Sequence, residues 1–181
     1  MKQPQRQKPK VAMTRIDYER VKQVSSVVRL KDVLLSHSHW QSATKVPRLA
    51  VEPSSMTFTF FLADATWDFD ATKLLEIQLE YRLAAFAKID GRKYGTDLPL
   101  FQLECEWDVV FEVPKEFSPL EAEVMADFAV ANGQLNAFPY VRQYVQDVTS
   151  RAGWPPLVLP TFRIPAKRSE PLGGRRQPQS G

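Results

Sequence analysis

Two long segments in which apolar and polar residues alternate limit the folds open to this chain. In the first, Leu75 to Ile89, every second residue is apolar and most of the residues between are polar or charged. The second segment, Phe101 to Val113, follows nearly the same period of two. Alternation over this length is typical of a β-strand that buries one face and keeps the other in water. We therefore predict two long, half-buried strands in one sheet.

A short turn joins these two strands. Asp90 and Gly91 form an Asp-Gly pair between them. Such a pair favours a tight reversal, so the strands are predicted to be antiparallel neighbours. Two earlier strands are predicted, one over residues 28–40 with a bulge and one over residues 56–62. A polar turn that holds Trp67 is predicted to follow the second of them.

Helical periodicity appears before the first strand and after the last one. Residues 15–28 predict an amphipathic helix ahead of the sheet. Ser118 and Glu121 are spaced as a capping box, which predicts a helix from Ser118 to Gly133. Another helix is predicted to begin near Pro139 and to stop before Trp154.

The predicted order of elements is a helix, four strands and then helices. This segregated order is typical of an α+β fold rather than of alternating βαβ units. We expect a four-stranded antiparallel sheet with helices packed on one face, because such a sheet can leave its other face in water.

Charge separates the ends of the chain from its body. Residues 1–10 and 166–181 carry a net charge of +7, which leaves −4 of the total +3 for residues 11–165. Basic ends rich in proline, glutamine and glycine are typical of solvated tails. We predict a single domain over residues 15–165, between disordered basic tails at 1–14 and 166–181.

Composition favours a cytoplasmic protein without a cofactor. No apolar run approaches the ~20 residues that a membrane-spanning helix needs, and charged residues occupy the place where an export signal would be apolar. Cys105 is the single cysteine, so the chain has no internal disulfide framework. It alternates in phase with apolar neighbours, which indicates a buried structural thiol rather than a nucleophile.

The sequence gives little support to an enzyme. His37 and His39 lie on the same side of a predicted strand, but no third metal ligand stands at a recognisable spacing, so we expect solvent-facing histidines and no metal. Glu104 and Glu106 lie on an open sheet face without the desolvated pocket that acid–base catalysis requires. One alternative to an enzyme is a nucleic-acid-associated or other protein-interaction module that uses the basic tails.

The C-terminal third of the chain carries a sequence resemblance. A proline-started amphipathic helix leads through Ser150 and Arg151 to an apolar segment bounded by prolines. The two motifs in question are Phe138-Pro139-Tyr140-Val141-Arg142 and Pro156-Leu157-Val158-Leu159. These motifs resemble those at the end of SecB protein-export chaperones, and the order of strands and helices extends the similarity over residues 28–164. The extra N-terminal helix and the lack of a further C-terminal helix make the chain more similar to solitary or toxin–antitoxin-associated SecB-like members than to export SecB.

This resemblance implies an ATP-independent holdase that works as a homotetramer, a dimer of dimers. Its clients would be unfolded or nascent proteins, held in hydrophobic grooves either for export or for control of a dedicated client such as an antitoxin. Residues of the best-matched helix are expected to have oligomer or structural roles: Phe138, Pro139, Tyr140, Arg142 and Tyr144.

Two sets of residues are predicted to contact partners. Large aromatic and apolar side chains outside the periodic faces suit a client of variable sequence, because they offer apolar area with few rotamers to restrict. The predicted client-binding residues are Trp40, Trp67, Trp154, Leu157 and Phe162. An acidic sheet face would, by resemblance, dock the SecA motor, and a plain solvated face is the alternative. Its residues are Glu76, Glu80, Glu104, Glu106 and Asp108.

Overall fold

The computed structural model of the chain describes residues 16–42, 51, 53–69, 74–89, 92–94, 99–118 and 120–162. Its helices and strands are, in chain order, α1 (Tyr18–Ser25), β1 (Arg29–Ser42), β2 (Met56–Phe69), β3 (Leu74–Ile89), β4 (Arg92–Tyr94), β5 (Phe101–Glu112), α2 (Ala122–Phe128) and α3 (Gln134–Arg151). A 3-10 turn precedes β2, and a five-residue π-helical segment, Ala129–Gly133, joins α2 to α3. The predicted tails and the Asp90-Gly91 turn lie outside the described residues.

One antiparallel sheet holds all the strands. The long strands lie in the order β1-β5-β3-β2, and short β4 pairs with the end of β3. Strands β3 and β5 occupy the centre, so each has a hydrogen-bonded neighbour along both of its edges. The predicted α+β fold with a four-stranded antiparallel sheet and helices on one face is confirmed.

The two faces of the sheet differ in chemistry. Every second residue of β5, from Phe101 to Phe111, is buried, and the residues between them are exposed or half-buried. The buried residues of β3 lie beside them in register, with Leu79 next to Trp107 and Tyr81 next to Cys105. This face, called the inner face below, carries the helices, and the opposite one is called the outer face.

The inner face and the helices share one hydrophobic core. Its largest fully buried side chains come from β3, β5, α2 and the segment after α3: Leu75, Ile77, Leu79, Tyr81, Phe101, Leu103, Phe111, Met125, Phe128 and Leu159. An edge-to-face contact between Phe111 and Phe128, with ring centroids 5.3 Å apart, ties α2 to one end of β5.

Trp67 lies in β2 and not in a turn, so that prediction is wrong. The pairing of β2 with β3 shifts between Leu62 and Asp64, which keeps Ala65 and Trp67 on the inner face after the irregularity. A β-bulge adds one residue to a strand and thereby changes the phase of its alternation. The polar residues after Leu62 suggested a turn, whereas the strand continues to Phe69.

The predicted starts of both C-terminal helices and the predicted stop at Gly133 are also wrong, whereas the predicted stop before Trp154 is confirmed. Helix α2 begins at Ala122, and Glu121 is its N-cap residue without a side-chain capping bond, so the Ser118 capping box does not form. The helix does not stop at Gly133, because the π-helical segment continues directly into α3. Gly133 serves close packing instead: a Cβ atom there would meet Ile77 Cγ2 at 3.0 Å.

Pro139 lies inside α3 and does not start it. A proline within a helix cannot donate to the carbonyl four residues earlier, which here belongs to Leu135. Both Leu135 and Pro139 are exposed, so water can satisfy that carbonyl. The packing of the buried face of α3 on the sheet therefore outweighs the local preference of proline for a helix start.

Helix α1 confirms the predicted N-terminal helix over a shorter span. Asp17 caps it, and its side chain accepts a hydrogen bond from the backbone N–H of Glu19 at 3.0 Å. Its buried side chains are Val21 and Val24, which face α2 and the π-helical segment.

Candidate protein-binding surfaces

Aromatic rings meet on the inner face near the end of β1. Trp40 stacks on Phe101, with ring centroids 4.6 Å apart and an interplanar angle of 22°. Trp154, which follows α3 in the chain, also contacts Phe101, with ring centroids 5.5 Å apart. The structure thus brings together two of the predicted client-binding tryptophans through a third ring. Trp40 is half-buried, whereas only 3% of Trp154 is exposed.

The segment after α3 is fixed at its start by one threonine. Gly153 ends the helix with a positive φ of 77°. The N–H of Trp154 then donates to the Thr149 carbonyl at 3.0 Å, and the N–H of Leu157 donates to Thr149 Oγ1 at 3.1 Å. These bonds direct Leu157 and Leu159 into the core and leave Val158 exposed.

Phe162 closes an aromatic cluster beside β2. Its ring lies 5.4 Å from that of Phe138 on α3, and Phe138 meets Phe60 of β2 edge-to-face at 5.9 Å. Phe60 in turn stacks on Tyr81 at 5.4 Å. Phe60 and Phe162 are half-buried, and Phe138 and Tyr81 are buried. We call these four residues the aromatic groove.

The edge of β2 next to this groove carries no strand among the described residues. In those ranges β2 pairs with β3 alone. Met56, Phe58, Phe60 and Leu62 of β2 are all half-buried on the inner face. An unpaired strand edge offers main-chain donors and acceptors to any added strand. In the part of the chain that the structure describes, a strand edge without a partner and a partly covered apolar surface are therefore side by side.

Trp67 and Leu157, the remaining predicted client-binding residues, have separate positions in the fold. Trp67 is half-buried and pairs with Ile77 of β3. Tyr81 lies two inner-face positions further along β3, so Trp67 is separated from the aromatic groove and also from Trp40 and Trp154. Its indole Nε1 is buried and has no hydrogen-bond partner among the residues that the structure describes. Leu157 is buried in the core.

The outer face collects carboxylates from three strands. Glu80 lies between Asp64 and Glu106, and Gln78 lies beside Asp108. All five predicted residues of the acidic face occupy this side of the sheet: Glu76, Glu80, Glu104, Glu106 and Asp108. Arg82 stands among them and pairs with Glu80 at 2.7 Å and with Glu104 at 3.6 Å.

Phe61, on the outer face, is 51% exposed, and the sequence analysis did not single it out. It pairs with Arg82 across β2 and β3, which places its ring at the margin of the acidic residues. The signal in the sequence was the consecutive run Phe60-Phe61-Leu62, which breaks the alternation of β2. Such a run places an apolar side chain on both faces of a strand.

The edge strand β1 is exposed on both faces. Leu34 is 49% exposed on the outer face, and Leu30 and Leu35 are exposed on the inner face. Leu35 lies next to Trp107, whose ring is 6.3 Å from Tyr140 and 6.0 Å from Tyr144 of α3. We call Leu30, Leu34 and Leu35 the β1 strip. The three residues lie along one edge strand but on both of its faces, and exposed apolar side chains on an edge strand are candidates for contact with another chain.

The other residues of the best-matched motif have mixed exposure. Phe138 is buried, and Pro139 and Tyr140 are exposed. Arg142 and Tyr144 are half-buried. The oligomer role predicted for them stays a prediction, and Tyr140 and Tyr144 are the members of the set that border the β1 strip.

The titratable groups of the inner face are held neutral. Burial raises the pKa of the Cys105 thiol from 9.0 to about 11, so the thiolate needed for nucleophilic chemistry is suppressed near neutral pH. Burial likewise raises the pKa of Tyr81.

His37 and His39 lie opposite Glu106 and Glu104 on the outer face. Across the described ranges, no group of three or more His, Cys, Asp or Glu could hold a metal ion.

Comparison with known proteins adds a structural relationship. No protein-family model matches the sequence, and no curated protein matches it. A solved structure of a Mycobacterium tuberculosis SecB-like chaperone, in complex with a peptide from an antitoxin, superposes with a TM-score of 0.64 at 17% identity. The match covers 80% of this chain and 97% of that one. The chain has a SecB-like fold.

A second solved structure, a protein of unknown function from Streptococcus agalactiae, superposes with a TM-score of 0.36 at 16% identity. That match covers 74% of this chain and 97% of the other.

Among the described residues of the present chain, no helix is both long and apolar enough to cross a membrane.

Proposed function

We propose that the chain is an ATP-independent holdase chaperone that binds unfolded or nascent client proteins. The observation that carries this proposal is the four contacting rings of the aromatic groove, two of them half-buried, beside the β2 edge that has no partner strand among the described residues. The SecB-like fold supports it, as does the antitoxin peptide bound by the M. tuberculosis chaperone. By that likeness, a dedicated client such as an antitoxin is the favoured client class, with export clients as the other.

A client segment would bind as an added strand along β2. Main-chain hydrogen bonds to a strand edge do not depend on the client's sequence, and apolar side chains of the client would settle against Phe60 and Phe162. The rings of the groove accept many apolar side chains because they present area without directional polar groups. This combination of main-chain hydrogen bonds and apolar contacts suits clients that share an unfolded state and not a sequence.

Holding requires no nucleotide in this mechanism. A protein that binds the unfolded state lowers its free concentration by mass action, and aggregation slows because it depends on that concentration. The driving force is apolar area removed from water, about 25 cal/mol for each Å². Client release then needs only dilution, a competing partner or folding of the client.

The predicted client-binding residues take four positions in this proposal. Phe162 contacts clients directly, and Trp40 forms a second aromatic surface at the end of β1. Trp154 and Leu157 are buried beneath and hold the segment that carries Phe162. Trp67 would extend the apolar side of β2 toward its far end.

We further propose that the chain assembles as a homotetramer, a dimer of dimers, and that it works in the cytoplasm. The β1 strip and the adjoining ring of Tyr140 would offer apolar surface to a second copy, which would also cover the edge of β1 that has no partner strand within the described ranges. Assembly of this kind would leave the β2 edge of each copy available to clients.

The proposal is tested first with the purified chain and a chemically unfolded, slow-refolding protein. Light scattering should report a particle of about four chains that keeps the client soluble without ATP. Aggregation of several unfolded clients at the same rate with and without the chain would reject the holdase function.

Within the groove, Phe162→Ser is expected to weaken client binding about tenfold. A half-buried phenyl ring that covers a client side chain contributes roughly 1.5 kcal/mol of apolar contact, which corresponds to that factor. Fluorescence anisotropy of a labelled unfolded client measures the change. Val158→Ser is the matched control, because Val158 is exposed in the same segment and lies between core residues. Equal loss in both variants would contradict a groove at Phe162.

The acidic outer face is proposed as a docking surface for a basic partner, for which SecA is the candidate. Glu104→Lys together with Glu106→Lys should abolish binding to SecA and change client holding by less than twofold, because both residues lie on the face away from the groove. Pull-down with SecA and the aggregation assay report the two activities separately. Loss of client holding in this variant would contradict the division between the faces.

A further inference from the structure

Helix α1 is held to the rest of the fold by few buried groups. It has eight residues, and its buried side chains are Val21 and Val24, of which Val24 is fully buried. Ile16 and Val28 pack partly against the core at its two ends. An isolated helix of this length is marginal in water, so α1 depends on these contacts for its stability.

The polar contacts of α1 lie at the surface. Arg20 Nη1 is 2.9 Å from Glu123 Oε2 of α2, but the two side chains are 38% and 80% exposed. The backbone N–H of Asp17 donates to Asp127 Oδ2 at 3.2 Å, and Asn132 Nδ2 donates to Ser25 Oγ at 3.3 Å. Exposed pairs of this kind contribute little to stability but fix orientation.

The surface beneath α1 combines an apolar floor with acidic sides. Three polar residues of α2 and the π-helical segment contact α1: Glu123, Asp127 and Asn132. They alternate along the helical axis with Val124 and the small residues of the π-helical segment. Val124, Ala129 and Ala131 are buried. Helix α1 lies close to α2 and the π-helical segment, and small side chains in that segment allow a second helix to approach closely. The surface that α1 covers therefore accepts one short helix and presents Glu123 and Asp127 to it.

We propose that this surface is a binding site for an amphipathic helix of a partner protein, and that α1 is its displaceable occupant. The partner exchanges with α1, because α1 is short, continuous with β1 and held by two valines and surface contacts. Local opening of this kind occurs at low free energy where few apolar groups are buried. The identification of this partner as a client rests on the proposed holdase function. The exchange of α1 for a partner helix does not depend on that function.

The occupant defines the chemistry that the site accepts. Two apolar residues three positions apart, as in Val21 and Val24, fill the floor, and a cation directly before the first, as in Arg20, faces Glu123. Glu123 and Asp127 favour a helix that presents a cation on the side facing them, as α1 does with Arg20. The site therefore differs from the aromatic groove, which takes extended apolar segments.

The test uses the full chain and a fluorescent peptide with its own sequence of residues 16–28. In a Cys105→Ala background, Ser25→Cys and Asn132→Cys place a disulfide between α1 and the π-helical segment, where Ser25 Oγ and Asn132 Nδ2 are 3.3 Å apart. The oxidised protein should bind the peptide at least tenfold more weakly than the reduced protein. Each single-cysteine variant should be insensitive to oxidation.

A second variant opens the site. Val24→Asp removes the fully buried contact, so it should bind the peptide at least tenfold more tightly than wild type, whereas Gln23→Asp at the exposed neighbouring position should not. Equal peptide binding by the locked, reduced and Val24→Asp proteins would overturn the proposal. A wild-type protein that holds no client but still shows this pattern would reject the holdase function and keep the helix site.

Discussion

Trp154→Ala is expected to lower the free energy of unfolding by about 3 to 5 kcal/mol, the range for truncating a large buried aromatic side chain. The indole is 3% exposed and packs on Phe101, which is itself buried at the start of β5. Removal leaves a cavity between the sheet and the segment that follows α3. Urea denaturation followed by circular dichroism measures the change.

Val158→Ala provides the comparison for Trp154→Ala. Val158 lies four residues further on and is half-exposed, so its truncation should change the free energy of unfolding by less than about 0.5 kcal/mol. A loss below about 1 kcal/mol for Trp154→Ala would mean that the segment is not anchored through this residue. The same outcome would return Trp154 to the set of residues available for direct client contact.

Leu30→Lys together with Leu35→Lys is expected to dissociate the proposed tetramer into species as small as the 20.7 kDa chain. Both leucines are exposed on the inner face of the edge strand β1, and lysine on an edge prevents the approach of another strand or apolar surface. Light scattering at micromolar concentration reports the mass. Circular dichroism should remain unchanged because neither side chain belongs to the buried core.

The control for the β1 substitutions lies on the opposite edge of the sheet. Thr57→Lys together with Thr59→Lys adds the same charge to exposed positions of β2 and should leave the mass unchanged. Dissociation by both pairs would indicate a general charge effect. A tetramer that survives lysine at Leu30 and Leu35 would move the assembly surface away from β1.

The sheet was predictable because its information is local. Alternation with a period of two identifies β3 and β5 residue by residue, and the acidic outer face follows from the same phase. That Trp40 and Trp154 both contact Phe101 was not predictable, since the two tryptophans are more than 100 positions apart in the sequence. No local pattern reports how β1 is paired with β5.

The helices were harder to place because glycine and proline have more than one use. Gly133 and Pro139 were interpreted as a stop and a start, yet a single helical run passes through both. Gly133 is needed for contact with Ile77, and Pro139 faces solvent. Tertiary packing decides such cases, and a sequence without its contacts does not reveal them.

The π-helical segment has a consequence for the direction in which charges point. In an uninterrupted α-helix, residues eighteen positions apart are about five turns apart and share one face. Glu123 would then lie in line with Val141, which is fully buried against the sheet, and Asp127 would lie close to the same line. The π-helical segment Ala129–Gly133 accommodates one additional residue, and in this structure Val124 and Phe128 are buried whereas Glu123 is exposed. Removal of one residue here would restore regular α-helical bonding and keep the faces on both sides of the segment, whereas regular bonding without that removal would rotate α2 by about 100° relative to α3. The additional residue therefore sets which side chains of α2 point toward solvent.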